Sequence, residues 1–294
     1  MSRETPAGAA TVTQVCAAFG LSRAAYYAAR RPAGAPEARV VRLPRRPRHA
    51  SAEAVLAAIR TVVEQEPAWG VRKVWATLRR EGLRVSRRRV WALMHAHGLV
   101  LARDREPGEP TRGHVVVPEP NRRFATDLTT TWTRRDGVVA IVPTLDCGCR
   151  SLLGLEVTTD QTGPVVLASV ETALVAAFGS PAAVPEGVEL RSDHGPQYTG
   201  ADCAALVARW GLTHTFAAVG RPTGNAVVER LIRTMKEEVI WLRDWESADQ
   251  LHAALQAWMI RYNTTRPHQA LAWQTPAERR AAKLDLVAPL PVAA

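Results

Sequence analysis

Residues 188–200 read VELRSDHGPQYTG, and residues 220–238 read GRPTGNAVVERLIRTMKEE. The first is a short apolar run that ends in Asp193 and passes at once into His-Gly-Pro, the pattern of a buried strand followed by a turn. The second carries apolar residues at helical spacing and predicts a long helix from about 223 to 242. Thirty-five residues separate Asp193 from Glu229 on that helix, and sixty-five separate Asp127 from Asp193. Asp127 lies in RRFATDLTTT, residues 122–131, whose β-branched and aromatic content predicts a strand. Three acids on three elements are the minimum for holding two divalent cations in one site.

Working outward, the elements around these acids predict an α/β fold. Strands are expected at 122–131, 137–145, 151–159, 188–192 and 212–217, with helices at 164–178, 201–210 and 223–242. The order β-β-β-α-β-α-β-α implies a mixed five-stranded sheet with helices on its faces. Asp127 falls within the first strand and Asp193 at the C-terminal end of the fourth. If those strands are neighbours, the two carboxylates approach each other, which is costly unless they share a proton or a cation. With no well-spaced Cys or His nearby, oxygen ligands point to Mg²⁺, with Mn²⁺ able to take its place.

Helical angles sort the residues of the last helix. Asn225, Glu229, Arg233 and Lys236 fall within about 40° of one direction at 100° per residue. Val228, Leu231, Met235, Val239 and Leu242 cluster on another face, expected to be buried. Glu229 therefore belongs to a polar face, which a solvated salt-bridge surface would also explain.

The rest of the chain is basic. The 294 residues carry a net charge of +10, and the excess is lopsided: residues 1–120 hold 21 Lys+Arg against 10 Asp+Glu, residues 121–294 hold 17 against 18. A basic module joined to a neutral one suggests a polyanion-binding attachment. Residues 1–31 contain two short helices about a turn at Gly20, with Ser22 as a cap and Arg23, Tyr26, Tyr27 and Arg30 on the second helix. This pattern fits a DNA-binding helix-turn-helix and a plain helical hairpin equally. Residues 32–50 are Pro/Arg-rich and read as an extended basic linker. Residues 51–100 predict three helices, the third capped by Ser86 and opening with Arg87, Arg88 and Arg89. Cations at a helix N-terminus oppose its dipole, so phosphates are the natural partners for these three arginines. On that helix Val90, Trp91 and Met94 are expected in the core. Residues 101–121 read as a second linker, 122–245 as the catalytic core and 246–294 as a C-terminal helical segment and tail.

Cys16, Cys147, Cys149 and Cys203 form no C-x-x-C pair, so ordinary buried thiols are expected. No run of eighteen apolar residues exists, and MSRETPAGAATVTQ lacks an apolar signal region, so the expected location is cytoplasmic, beside the nucleoid, with no membrane partner.

FATDLTTTW around Asp127, RSDHGPQYTG around Asp193 and GRPTGNAVVERLIRTMKEE around Glu229 together resemble the catalytic domain of bacterial insertion-sequence transposases. The second-reading-frame proteins of the insertion-sequence-three family are the nearest likeness. YNTTRPHQALAWQTPAE, residues 262–278, is similar to that family's closing signature, and WGVRKVWATLRREGLRVSRRRVWALMHAHGL to its helix-turn-helix segment. The resemblance spans residues 11 to 282.

It implies an RNase H-like fold with Asp127, Asp193 and Glu229 as catalytic metal ligands for two Mg²⁺ ions. Lys236 resembles the family's basic residue that contacts the element end, and Asn225 matches its asparagine beside the acidic cluster; with Arg233 on the same helix face, they are the candidate DNA contacts here. The resemblance further implies double-stranded DNA as partner (terminal inverted repeats and target), the first-reading-frame product as helper, and a homo-oligomer on DNA. The implied reaction is cleavage of element ends and joining of the freed 3′-OH to another phosphodiester. Two alternatives stay open: a nuclease on the same fold that hydrolyses without joining, and a domesticated DNA-binding protein with an inactive core. In two respects the chain departs from relatives. It lacks the His₂Cys₂ zinc domain of retroviral integrases, Cys16 having no ligand set around it, and His194 stands where many relatives have Arg.

Overall fold

The computed structural model of the chain describes residues 11–30, 50–101, 116–217 and 225–284. Residues 32–49 and 102–115 of the expected linkers lie outside these residues, as does the tail after Leu284. Two compact units result, Met1–Arg48 and His49–Ala294.

In the first unit α1 (Val12–Ala18) and α2 (Arg23–Ala29) form the expected helix pair. Thr11 caps α1 in a reciprocal box with Gln14, and Ser22 caps α2 by accepting from the Ala25 N–H. Gly20, at φ +64°, makes the turn between them. Cys16 is buried, while Phe19, Leu21 and Tyr27 remain exposed. Arg23 is exposed too, and Arg30 lies over the Tyr26 ring.

The second unit begins with α3 (Ala52–Gln65), α4 (Val71–Arg80) and α5 (Arg87–Ala96) around Val55, Ile59, Val74, Leu78, Val90 and Met94. Ser86 caps α5 as its sequence predicts. Trp91 does not join this core. It is 49% exposed and stacks on His95, because the third helix needs only the Val90–Met94 stripe to close the bundle.

The sheet follows. Its strands are β1 (Arg123–Thr126), β2 (Thr129–Thr133), β3 (Gly137–Asp146) and β4 (Leu152–Thr158), then β5 (Glu189–Ser192) and β6 (Thr213–Phe216). β3 pairs antiparallel with β1, β2 and β4, whereas β1–β5 and β5–β6 are parallel. The strand expected at 122–131 is thus two strands on one track, interrupted at Asp127 and Leu128. Counted by track, this is the five-stranded mixed sheet of an RNase H-like core.

Helices α6 (Gly163–Phe178), α7 (Pro196–Thr199), α8 (Ala201–Trp210), α9 (Ala226–Glu238), α10 (Ala248–Thr264) and α11 (Pro276–Leu284) complete the unit. Strand alternation divides them between the two faces. Phe124, Val142 and Leu153 pack with Val166 and Val170 of α6 and Trp210 of α8. Their sequence neighbours Ala125, Ile141 and Leu152 pack with Leu231 and Met235 of α9 and Trp258 of α10. At Gly154 the α6 backbone comes so close that a Cβ would lie 1.9 Å from the Ser169 carbonyl oxygen.

The C-terminal helices are part of this core rather than an appendage. Asn263 clamps the start of β4, its amide oxygen accepting from the Leu152 N–H and its NH₂ donating to the Leu152 carbonyl. Arg280 of α11 pairs with the fully buried Asp146 at the end of β3. The last-helix expectation needs two corrections. α9 ends at Glu238, before a 3-10 turn at Ile240–Leu242, and Leu242 is 53% exposed. The apolar stripe ends where the chain leaves helical geometry at Val239 (φ −135°, ψ −61°).

Candidate active site

The register of two parallel strands brings the first two acids together. Ala125 pairs with Arg191, and Asp127 and Asp193 each stand two residues further along. They occupy neighbouring positions just beyond the C-terminal ends of β1 and β5. This is where open α/β sheets expose side chains no longer held in the ladder. Alternation sends Asp127 to the same face as Ala125, the face covered by α9. Glu229 sits in the first turns of that helix, and its carboxyl shares an open cleft of about 500 Å³ with Asp127, Arg233 and Lys236.

Electrostatics couples Asp127 to Asp193, Glu229 and Lys236. Burial pushes the Asp127 carboxyl up from its ordinary 3.8 to about 6, the Leu128 N–H opposes that rise, Asp193 and Glu229 add to it, and Lys236 counters it. Partial burial likewise raises Glu229. Asp193 is more exposed and accepts the Gly195 N–H, which fixes the His-Gly-Pro turn. Beneath the pair, Tyr198 is buried with its hydroxyl beside that of Thr126.

Among the described residues no three His, Cys, Asp or Glu side chains are already drawn together as a metal cage. The donor set nonetheless fits a hard divalent cation. It consists of carboxylate oxygens, and the anion at Asp127 is disfavoured by burial and by two acidic neighbours. A bound cation relieves both effects.

The expected DNA-contact residues have different fates. Lys236 is half-exposed in the cleft. Arg233 is exposed but pairs with Glu237, four residues on, at 2.9 Å. Arg87 and Arg88 are exposed on α5 and Arg89 is half-exposed. Asn225 corrects the expectation. It is 5% exposed and stands outside the helical turns at the N-cap of α9, so angular reasoning did not apply to it. Its amide donates to the Thr126 carbonyl at 3.1 Å, tying the start of the Glu229 helix to the residue before Asp127. Asn225 is thus an interior residue bonded to the end of β1.

Sequence reasoning passed over Glu238, the last residue of α9. Its buried carboxylate accepts from Arg266, from the Trp258 indole and from Lys73 of α4. Burial alone would raise its pKa, but Arg266 and Lys73 hold it below the usual range. Arg80 of α4 pairs with Glu278 and Arg72 bonds Gln269, so α4 is tied to the C-terminal segment as well as, through Lys73, to α9. The signal lay in the closing signature: Tyr262, Asn263 and Arg266 are all buried structural partners. Cys147 and Cys149 are inert, burial pushing their thiols up to about 12 and about 11.

An integrase core domain family matches residues 117–222, a further integrase core domain family matches residues 210–276, and an HTH-like domain family matches residues 50–107. The transposase InsD for insertion element IS2 of Escherichia coli is 30% identical over 251 residues, covering 80% of each chain. A Mycobacterium tuberculosis protein named as a transposase for IS986/IS6110 is 29% identical, covering 73% of this chain and 82% of its own. Among solved structures, a chain of the simian T-cell lymphotropic virus intasome complex with a PP2A regulatory subunit aligns with a TM-score of 0.46 and 16% identity, covering 80% of this chain and 78% of that one. The catalytic core domain of BIV integrase aligns at 0.38 and 21% identity, covering 56% and 95%. With four fifths of its length matched at 30% identity to a transposase, the chain belongs to the DDE transposases of bacterial insertion elements.

Proposed function

We propose that Asp127, Asp193 and Glu229 are the catalytic acids of a DNA-end cleavage and strand-joining reaction, and that together they hold two Mg²⁺ ions, with Mn²⁺ able to substitute. The supporting observation is the register match of Asp127 with Asp193 under the helix that carries Glu229. When bound, such ions activate an attacking oxygen and neutralise charge on the departing one. The three carboxylates orient the ions and, by their own charge, keep the scissile phosphate from binding productively without them. Lys236, in the same cleft, is suited to hold a non-bridging phosphate oxygen beside the acids. Asn225 keeps the α9 N-terminus at a fixed height over β1, so Glu229 meets Asp127 in one geometry.

Two in-line displacements follow. Water attacks the phosphorus at the element end, and the P–O3′ bond breaks to leave a 3′-OH. That hydroxyl then attacks a second phosphodiester, forming a new P–O bond as another 3′ oxygen departs. Both steps are phosphoryl transfers, so no Ser or Tyr nucleophile is required.

DNA is delivered by the basic modules. With α4 tied to the core, the free face of α5, bearing Arg87, Arg88 and Trp91, is suited to lie against duplex DNA, with Arg89 at its edge. Arg23 and Arg30 of the N-terminal pair are candidates for further phosphate contacts. The substrates in this reading are terminal inverted repeats and target DNA. The first-reading-frame product and further copies of the chain would assemble with it on paired ends, in the cytoplasm. Among the described residues no helix is long and apolar enough to cross a membrane.

The test compares wild type with Asp193→Asn and Glu229→Gln on labelled element ends in Mg²⁺. Both variants are expected to bind ends normally and to neither nick nor join. Normal joining by either one would overturn the assignment.

A further inference from the structure

A second cavity, of about 790 Å³, lies between α4, α9 and the segment 266–273. Its wall includes Arg72, Lys73, Arg150, Arg230 and Arg266, and among the described residues no acidic one. Lys73 and Arg266 have Glu238 behind them, and Arg72 bonds a neutral amide, Gln269. Arg150 and Arg230 form no ion pair among the described residues, and Arg150 is half-buried, a costly place for a lone cation. His268 adds no charge, since burial and Arg266 hold its pKa down to about 2.

Two further features point the same way. α4 begins at this wall with no side-chain cap and no acid in its first turn, and of its first three amides only that of Lys73 has a helical acceptor, the Gly70 carbonyl, which leaves those of Val71 and Arg72 for an anion. The wall also carries strained backbone: Arg150 and Trp273 are two of the four non-glycine residues with positive φ among the described residues, at 64° and 70°. Strain of this kind persists where the fold fixes a side chain for a task. Trp273 is half-exposed, braced edge-on by Trp75, and its carbonyl is held by Arg80. Unpaired arginines beside a braced aromatic ring are the parts of a single-strand site, where phosphates meet cations and bases stack on a ring.

We propose that this cavity binds a single DNA strand, gripping its phosphates with Arg150 and Arg230 and stacking a base on Trp273. The proposal rests on the reading of the chain as a DNA-joining enzyme, and deepens it. α9 is the shared wall: Ala226, Val227 and Arg230 face this cavity, while Glu229, Arg233 and Lys236 face the acidic cleft. A strand leaving the cleft over α9 enters the cavity, so the site holds DNA flanking the scissile phosphate.

The test measures fluorescence anisotropy of a labelled oligothymidylate across a salt series with the full chain. Arg150→Gln/Arg230→Gln is expected to bind at least about tenfold more weakly. The slope of log K against log salt should shrink by about 1.4, at about 0.7 per phosphate lost. Arg230→Gln alone, an exposed change on a helix surface, should give about half that slope change with folding untouched. Trp273→Phe should bind like wild type, and Trp273→Ala about fivefold or more weakly at an unchanged slope. Unchanged affinity and slope in the double variant would overturn the proposal. So would inorganic pyrophosphate displacing the oligonucleotide at equal concentration, which would make the cavity a small-phosphate site. Strand joining by wild type on a pre-cleaved end tests the underlying reading separately. If wild type joins while the double variant still binds the strand normally, only the cavity proposal falls. If the double variant loses strand binding while wild type joins nothing, only the reading falls.

Discussion

Asp127→Asn is expected to destroy activity and stabilise the metal-free protein. Asp127 pays for its position next to Asp193 and Glu229 with a carboxyl pushed up from 3.8 to about 6, chiefly by burial. The sign follows from linkage. The folded state holds the proton more tightly than the unfolded chain, so ionisation costs stability as pH rises from 3.8 through about 6. Above that range the full cost, at about 1.4 kcal/mol per pH unit, approaches a ceiling of about 3 kcal/mol. The side chain is partly solvated, and screening reduces the expected cost to about 1–2 kcal/mol. Asparagine is a neutral isostere whose oxygen can still accept the Leu128 N–H, so it removes the charge and little else. Urea denaturation in EDTA should show the variant about 1–2 kcal/mol more stable than wild type at pH 8, the gap closing below pH 4. A variant equal to or weaker than wild type at pH 8 would refute the electrostatic account of the site.

Three other outcomes follow from the same structure. Mg²⁺ or Mn²⁺ should raise the melting temperature of wild type, by about 2.7 kcal/mol of stability at one hundred times Kd, and should not do so for Asp127→Asn or Asp193→Asn; equal shifts in all three would place the cation elsewhere. Asn225→Ala leaves the buried Thr126 carbonyl without its amide donor, so denaturation should show a loss of about 1–3 kcal/mol. Joining rate should fall as well, with end binding intact; full activity would remove Asn225 as a positioning residue. Glu238→Ala strands the buried Arg266, and thermal melts should report a loss of about 3–5 kcal/mol. Because Glu238 is held below its ordinary 4.5, its contribution is present above that pH and lost as pH falls through the folded value. Wild type should therefore lose stability in acid more steeply than Glu238→Gln.

Much of the fold is legible in the sequence because its elements carry strong local signals. Glycine and capping serine mark the ends of α1, α2 and α5, and β-branched runs mark β3 and β4. Val228, Leu231 and Met235 repeat at helical period on α9, and all are buried. Reading failed where tertiary context overrode period. The break at Asp127–Leu128 interrupts a run that looks like one strand, and Asn225 lies one residue outside the helix whose face it was counted on. Of the proposed site, spacing and helical angle single out Asp127, Asp193, Glu229 and Lys236, but a salt-bridged surface would explain that pattern too, and only the family resemblance suggests their roles. Glu238 is not singled out, because a Glu in MKEE looks like a solvated helix end. Only the arrival of Arg266 and Lys73, distant in sequence, makes it a buried junction. Arg150 was equally hidden, since the part proposed for it depends on a cavity wall assembled from five separate stretches of chain.

The most direct measurement of the central claim is strand transfer from a pre-cleaved element end bearing a 3′-OH. The full chain and Mg²⁺ would be supplied and products resolved on a denaturing gel. The account predicts joined products longer than the donor strand from wild type, and none from Asp193→Asn or Glu229→Gln. Hydrolysed fragments without joined products, or joining that survives the loss of either acid, would contradict it.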